Sequence, residues 1–253
     1  NVTASNNTVT LNGGKVNESI YGGYVKATTG SATASGNTVE LKSGTLGNTV
    51  DVYGGFVEGS GEKVTTGNTL KVHNQFTINS AQGFQNYEFY IPNTVSNGAT
   101  MLTVTTPVTL AGTETISVKA INASLAKGNT VNLISSVTGP TFDSKYFLVK
   151  EDKSGEALAY SLSVAATAAT EAPLVMTVLG NALFGTKTVG ESTEVGYKEN
   201  VTVDTTLSGF TATIDSTKTY DMVYGAYVTT ATAGINVTAS NNTVTLNGGK
   251  VNE

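Results

Sequence analysis

The sequence predicts an all-β fold, a parallel β-solenoid in which short strands coil around one axis and carry a β-rich body. Three observations predict it. Apolar residues alternate with polar ones over short segments, these segments return at a nearly constant spacing, and glycines stand between them. Residues 236–253 also repeat residues 1–18 without one substitution, so the chain has a long period as well as a short one.

The short period is visible in two segments that align with each other, NTVTLNGGKVNESIYGGYV at 7–25 and NTVELKSGTLGNTVDVYGGFV at 37–57. A third copy opens at Gly67 with GNTLKVHNQFTIN. Within the copies apolar residues occupy every second position, for example Val39 and Leu41. That spacing is typical of a strand with one buried face, so each copy predicts strands of one coil.

Glycine pairs separate the predicted strands, at Gly13 and Gly14 and again in the two YGG segments. Since glycine adopts positive φ without steric penalty, we expect these residues to form the sharp corners of each coil. A hairpin or a sandwich explains the strands of any one copy. It does not explain why Asn, Thr and the YGG step return in register, whereas stacked coils do.

Stacked coils place like residues above like, which predicts ladders of side chains along the axis. Buried amides would then hydrogen-bond to one another, and aromatic rings would stack. The predicted structural ladder comprises Asn7, Asn37, Asn68, Asn242, Tyr21, Tyr53 and Tyr224, with Tyr24, Phe56 and Tyr227 as a second aromatic set.

The middle of the chain breaks this rhythm. We predict solenoid coils over 1–79, a β-rich body over 80–218 that continues or decorates them, and coils of the next repeat over 219–253. Within the body, Asn-Gly and Ser-Gly steps predict hairpin turns at 96–100 and 152–156. Residues 116–125 and 165–172 are the places where short helices are expected.

The long period includes surface-type residues such as Asn6, Lys15 and Glu18. Exposed positions tolerate substitution, so shared core constraints do not explain the identity. We therefore predict one period of a tandem array, with the two copies in the same conformation; the alternative is a terminal duplication, engineered or by chance, in a single domain. We call residues 236–253 the seam segment, and its predicted seam residues are Asn236, Val237, Val244, Leu246, Gly248 and Gly249.

Composition excludes several classes of function. Charged residues make up 13% of the chain and the net charge is -5, so it lacks the clustered basic residues that nucleic acid requires. The longest apolar segment, residues 172–179, is far shorter than the ~20 residues of a membrane span, so no membrane insertion is expected in this region. The absence of cysteine excludes disulfides and thiolate metal sites.

Catalytic chemistry finds little support. His73 is the only histidine, which leaves a serine nucleophile or a transition metal without partners. Carboxylates gather at Asp143, Glu151, Asp152 and Glu156, but EDKSGE is typical of a solvated turn and no calcium-loop spacing is present. We predict no catalytic residue, no cofactor and no metal site.

The repeated NTVxL…(I/V)YGG(Y/F)V pattern is followed by NTLKV, NYEFYIP, NGATMLTVT and GNTVNLI. In this combination most of residues 1–165 resembles passenger regions of autotransporter-type adhesins and haemagglutinin-like surface proteins of anaerobic bacteria. The resemblance implies secretion, a right-handed parallel β-solenoid and display at the cell surface for adhesion, and it brings no catalytic motif. The chain departs from that family in its 235-residue recurrence, which favours a structural shaft over a single binding tip.

The expected function is a non-enzymatic structural protein, the repeat unit of a fibre or adhesin stalk that is extracellular at the bacterial cell surface. Its expected partners are neighbouring copies of the same unit. The alternative is an adhesin module that binds host glycan or protein through exposed aromatics such as Tyr87, Phe89, Tyr90 and Tyr146. A weaker alternative is a polysaccharide-degrading solenoid enzyme.

Overall fold

The computed structural model describes residues 1–59, 62–149, 153–165 and 170–252, without the side chain of Phe142. It confirms the all-β prediction, because no helix occurs among these residues. The helix expected within 116–125 is wrong, since Thr115–Ile121 is a strand, and residues 166–169 of the second expected helix lie outside the described ranges. None of the described segments is therefore a helix of the length and apolarity that crossing a membrane demands.

The first strands in chain order are β1 (Val2–Thr3), β2 (Thr8–Val16), β3 (Ser19–Ala27), β4 (Ala32–Thr33), β5 (Thr38–Leu46), β6 (Asp51–Gly59), β7 (Lys63–Val64), β8 (Thr69–Val72), β9 (Phe76–Ile78), β10 (Ser80–Gln82), β11 (Asn86–Ile91), β12 (Thr100–Val104), β13 (Val108–Thr109), β14 (Thr115–Ile121) and β15 (Thr130–Thr138). The later strands are β16 (Phe142–Val149), β17 (Glu156–Val164), β18 (Ala172–Phe184), β19 (Thr186–Val189), β20 (Ser192–Val195), β21 (Tyr197–Lys198), β22 (Thr205–Ser208), β23 (Thr211–Asp215), β24 (Thr219–Tyr220), β25 (Met222–Tyr224), β26 (Tyr227–Val228), β27 (Val237–Ser240), β28 (Thr243–Asn247) and β29 (Lys250–Val251).

The described residues divide into two compact units. The first unit contains residues 1–125, 129–144 and 162–177, and the second contains 126–128, 145–161 and 178–253. The boundaries predicted near 79 and 218 stay predictions.

The first unit is built from stacked coils, as predicted for a parallel β-solenoid. Like strands of successive coils pair in parallel: β1 with β4 and β7, β3 with β6 and β10, and β2 with β5, β8, β11 and β14. Strands β9, β12 and β15 form a further parallel set. The parallel stack therefore extends as far as β15. Residues 172–177 of β18 then pair with β15 in the antiparallel direction.

Each coil turns sharply just before its long strand. Asn6, Gly36 and Gly67 occupy the same position in three coils of the first unit and have φ of 59°, 68° and 68°. In the second unit Gly209 and Asn241 do the same, at 77° and 54°. Glycine and asparagine are the residues that enter this left-handed region most readily, which explains the alternation of GN and NN in the sequence.

The core lies inside the coils and follows the predicted alternation. Val39, Leu41, Leu70 and Val72 are fully buried, and the polar residues between them face outward. Fully burying a side chain of this kind contributes about 1.5–3 kcal/mol, so each coil adds its own share of stability to its neighbours.

The second unit also stacks its strands in parallel. Strand β26 pairs with β21, β27 with β22, β28 with β23 and β29 with β24, while residues 182–184 of β18 pair with β25. Strands β19 and β20 form an antiparallel hairpin beside β23. Leu183, Ala212, Ile214 and Tyr220 form one buried cluster of this unit.

The hairpin predicted at 96–100 is wrong. Strands β11 and β12, on either side of it, belong to different sheets, and the Gly98 N–H donates to the carbonyl of Thr130 at 2.8 Å. The segment is therefore a corner of the coil. The turn predicted at 152–156 joins β16 and β17, which are neighbours in one sheet, but residues 150–152 lie outside the described ranges.

Candidate functional site

The amide ladder is a row of asparagine side chains that joins three successive coils of the first unit. Asn37 Oδ1 accepts from the backbone N–H of Asn7 at 3.0 Å and from its Nδ2 at 2.9 Å. Asn68 Oδ1 accepts in the same way from Asn37, at 2.8 Å and 3.2 Å. Asn37 and Asn68 are fully buried, so these bonds replace the water that both amides have lost.

The amides also hold the preceding turns. Asn37 Nδ2 donates to the carbonyl of Ala4 at 3.0 Å, and Asn68 Nδ2 donates to that of Ala34 at 3.1 Å. The ladder ends at Gln85, whose Oε1 accepts from the Asn68 backbone N–H at 3.0 Å. Sequence reasoning missed Gln85; the signal was an amide residue directly before β11, where the other coils have Asn before the strand.

The YGG glycines do not form corners, which corrects the prediction of positive φ there. They lie inside β3 and β6, and the residues concerned are Gly22, Gly23, Gly54 and Gly55. A Cβ on Gly55 would stand 2.1 Å from the carbonyl oxygen of Ala34 and 2.8 Å from Asn68 Nδ2. The glycines therefore recur because the amide ladder packs against bare backbone. Positive φ does occur at Gly13 and Gly14, at 105° and 76°, but both lie inside β2, where its pairing with β5 shifts register, so they form an irregularity within the strand and not the predicted corner between strands.

Two aromatic columns stand side by side on the outer face of β3 and β6. Tyr21 stacks on Tyr53 with ring centroids 5.1 Å apart and planes within 5°, and Tyr24 stacks on Phe56 at 5.6 Å and 13°. The columns meet edge to face, with the Tyr21 and Tyr24 centroids 5.4 Å apart. Tyr21 and Tyr24 remain 36% and 45% exposed, so these columns form an open aromatic surface.

A charged rim borders the columns. Glu58 accepts a hydrogen bond from the Tyr24 hydroxyl and forms an ion pair with Lys26 Nζ at 2.7 Å. The bond to Lys26, followed by the one to Tyr24, lowers the pKa of the Glu58 carboxyl, and the bond to Glu58 raises the pKa of the Tyr24 phenol. The rim therefore keeps a carboxylate and an ammonium group beside exposed rings at neutral pH.

The second unit repeats the two-column pattern with other residues. Tyr224 stacks on Phe184 at 5.4 Å and 14°, and Tyr227 stacks on Tyr197 at 5.8 Å and 15°. Tyr224 and Tyr227 meet edge to face at 5.5 Å. Tyr224 thus lies in a different unit from Tyr21 and Tyr53. Phe184 and Tyr197 were missed because their segments, LFG and VGY, keep only part of the YGG pattern.

Asn242 makes in the second unit two of the bonds that Asn68 makes in the first. Its Oδ1 accepts from the Phe210 backbone N–H at 3.0 Å, and its Nδ2 donates to the carbonyl of Leu207 at 3.1 Å. Phe210 stands in the ladder position of the preceding coil, where it is buried but offers no side-chain oxygen. The amide ladder of this unit is therefore a single rung.

The seam segment lies on the coil that precedes it. Residues 237–240 pair with β22, residues 243–247 with β23 and residues 250–251 with β24, all in parallel register. At its start, the Asn236 N–H donates to Asp204 Oδ1 at 2.8 Å. Val237 is half-buried, whereas Val244 and Leu246 are 50% and 60% exposed although they align with the buried Ala212 and Ile214.

The two identical copies begin their second strand at the same residue, Thr8 and Thr243, but differ before it and at the glycine pair: β1 ends at Thr3, whereas β27 runs to Ser240, the equivalent of Ser5. Asn6 and Asn241 share the left-handed conformation. Strand β2 continues through Gly13 and Gly14, whereas β28 ends before Gly248, which instead bridges to Asp215. The reason is the preceding coil, which turns back at the Lys218 N–H bond to the Asp215 carbonyl and forces the seam segment to follow. Gly249 also lies there, where a Cβ would stand 2.3 Å from the Asp215 oxygen.

The aromatics expected to be exposed are mostly not. Tyr87 and Phe89 are buried, which overturns that expectation for both. Tyr90 is half-buried and stacks on His73 at 4.0 Å, and Tyr146 is half-buried and stacks on Tyr160 at 5.7 Å. The open aromatic surface instead lies on the columns of β3 and β6, because in the second unit Phe184 is fully buried and Phe147 packs edge to face against both columns.

Among the described residues, the acidic and histidine side chains form no cluster of the size that holds a metal ion. No three described His, Asp or Glu side chains converge, and Glu151 and Asp152 lie outside the described ranges. A cleft of about 410 Å³ beside Gln82 has only uncharged residues in its described lining, and one of about 220 Å³ has Glu156 as its single carboxylate. His73 Nε2 lies 2.9 Å from Glu40 Oε1, within a strand face of alternating charges.

Comparisons with protein-family models, with curated proteins and with solved structures found no match to this chain.

Proposed function

We propose that this protein is a non-enzymatic structural protein of the bacterial cell surface, the repeat unit of an extracellular fibre or adhesin stalk. Neighbouring copies of the unit are its partners. The extracellular bacterial location rests on the cysteine-free, Thr- and Asn-rich composition and on the resemblance to autotransporter-type adhesin passengers.

One observation carries this proposal. The seam segment, which is identical to residues 1–18, lies in parallel register on β22, β23 and β24. The sequence that opens one 235-residue repeat therefore fits against the last coil of the repeat that precedes it. Because solenoid coils contact only their neighbours, a unit that continues this way leaves no unpaired edge along the shaft.

The test is the shape of tandem chains carrying one, two or three copies of the 235-residue period. We expect electron microscopy to show straight rods whose length grows by a constant increment per copy. The control carries Val9→Asp and Leu11→Asp in the internal copies only, which should place a flexible joint at each seam. Three-copy chains that resemble beads on a flexible string, with no dependence on the control substitutions, would contradict the proposal.

A second candidate function is glycan binding by the aromatic columns. The observation that favours it is the exposure of Tyr21 and Tyr24 beside the charged pair Lys26 and Glu58, since aromatic rings with adjacent polar groups suit sugar recognition. A single chain should then bind glycans on an array, and Tyr24→Ala should abolish binding while Val189→Ala, at another exposed position, should not. Equal binding by both variants would exclude this surface.

A further inference from the structure

We propose that the aromatic columns continue from one copy to the next, with Tyr224 and Tyr227 of one copy stacking on Tyr21 and Tyr24 of the copy that follows. The surface is the free edge of β25 and β26, and its occupant is the strand equivalent to β3 in a second copy of this chain. This inference rests on the proposed tandem array and adds the contact that aligns the copies.

Both partners of this contact have a free edge. Among the described strands, β3 pairs only with β6, β25 only with β18 and β26 only with β21. The N–H groups of Tyr227 and Thr229 donate to Gly196 and Lys198 on the β21 side. Since successive N–H groups of a strand point to opposite sides, the Val228 N–H points to the free edge.

The register of the chain brings the right residues together. Tyr21 pairs with Tyr53, and Tyr24 with Phe56, at a separation of 32 residues. The seam segment keeps the same separation on β22 and β23, for example between Thr211 and Thr243. A copy that begins at residue 236 has its Tyr21 and Tyr24 32 residues after Tyr224 and Tyr227.

The ring geometry matches on the two sides. Each unit holds two parallel columns that meet edge to face, with centroids 5.4 Å apart for Tyr21 and Tyr24 and 5.5 Å apart for Tyr224 and Tyr227. Within columns, stacked rings lie 5.1–5.8 Å apart. Two columns of two rings can therefore join into two columns of four without a change of spacing.

The sequence of β3 resembles that of the strands whose free edge it would occupy. MVYGAYV at 222–228 and SIYGGYV at 19–25 share the YG step and both aromatic positions. Residues 1–18 are already known to fit β22, β23 and β24 through their second copy, and β3 follows them directly in the chain. A following copy thus presents β3 to β25 and β26.

The test extends the full chain at its C-terminus by nine residues, SIYGGYVKA, the sequence of Ser19–Ala27. We expect amide hydrogen exchange in β25, β26 and the seam segment to slow by about tenfold or more, the effect expected when a frayed edge strand gains a partner. Near-UV circular dichroism should show a new tyrosine signal. The matched control is the same extension with both tyrosines replaced by serine, which should lose most of both effects.

Equal slowing by the two extensions, or slowing by neither, would overturn the inference. If the inference fails in this way but tandem chains still form straight rods, the proposed function is retained. The electron-microscopy test depends on the stacking of whole coils and not on the tyrosine contact. If tandem chains are flexible but the extension still slows hydrogen exchange, the result would contradict the proposed function and leave the contact between β3 and β25–β26 supported.

Discussion

Asn68 is the residue on which the first three coils depend most directly. Its side chain satisfies two groups of Asn37 and the carbonyl of Ala34 in the interior of the first unit, and the partly buried carbonyl of Gly83. A buried donor or acceptor that loses its partner retains the full penalty of its lost hydration. The amide therefore helps to fix how one coil sits on the next.

We predict that Asn68→Ala lowers the free energy of unfolding by about 3 kcal/mol, since it leaves several buried backbone groups without partners. Asn7→Ala is the matched control, at the exposed end of the same ladder, and should cost less than about 1 kcal/mol. Urea unfolding followed by circular dichroism measures both. Similar decreases in the free energy of unfolding for the two variants would show that the buried amide contributes no more to stability than the exposed one.

A second prediction concerns Gly55. A methyl group there would stand 2.1 Å from the Ala34 oxygen, so Gly55→Ala should destabilise the fold by more than about 2 kcal/mol. Gly47→Ala is the control, because its Cβ would meet nothing closer than 3.6 Å and no positive φ opposes it. We expect that variant to change stability by about 0.5 kcal/mol or less. Equal decreases in the thermal unfolding midpoints of Gly55→Ala and Gly47→Ala would contradict the steric explanation for glycine in the YGG segments.

At the scale of strands, the face formed by β5, β8 and β11 carries charges in register. Glu40, Lys71 and Glu88 are successive neighbours, and His73 lies beside them under the ring of Tyr90. Burial lowers the pKa of the His73 imidazole, and Lys42 and Lys71 lower it further, while Glu40 acts in the opposite direction. The folded strands therefore favour neutral histidine.

This gives a pH prediction with a definite sign. Because the pKa of His73 is lower in the folded state, folding stability is fully present above the unfolded value of about 6.5 and declines as the pH falls below it. The free energy of unfolding should therefore decrease between pH 7.5 and pH 5.5. His73→Gln should flatten that dependence, and an unchanged slope in this variant would assign the effect to other groups.

Strands also show what the sequence could predict. Alternation in β5 and β8 follows from a single buried face, and the asparagines before them stack because the coils keep one register. The same rule did not find Gln85, since the coil that contains it has lost the NTV motif. For Tyr87 and Phe89 the rule was sufficient: in NYEFYI they alternate with Asn86 and Glu88 and share the buried face with Ile91, so the expectation of exposed rings conflicted with the alternation itself.

At the scale of the whole molecule, the same leucine of the repeat occupies three environments. Leu41 is fully buried between neighbouring coils, Leu11 is half-buried in the first coil, and Leu246 is 60% exposed in the seam segment. A following copy would place a strand equivalent to β5 beside Leu246. The burial of Leu246 therefore shows whether one copy of the chain stacks on the next.

We predict that Leu246→Ala costs less than about 1 kcal/mol in the single chain, since the side chain is mostly solvated. The equivalent substitution at the internal seams of a three-copy chain should cost about 2–5 kcal/mol per seam, the usual loss for a buried leucine. Leu41→Ala in the single chain is the reference for full burial. Guanidinium unfolding compares the three, and a negligible loss at the internal seams would argue against continuous stacking.

Phe210 occupies the ladder position before Asn242 and leaves a gap in the amide ladder of the second unit. Hydrogen-bonded rungs that run unbroken share a tensile load among all their members, whereas a gap concentrates rupture at one place. If copies of this chain form a thread as proposed, pulling force should break it first at Phe210 of each copy, so that a sudden load is dissipated in one small step per copy.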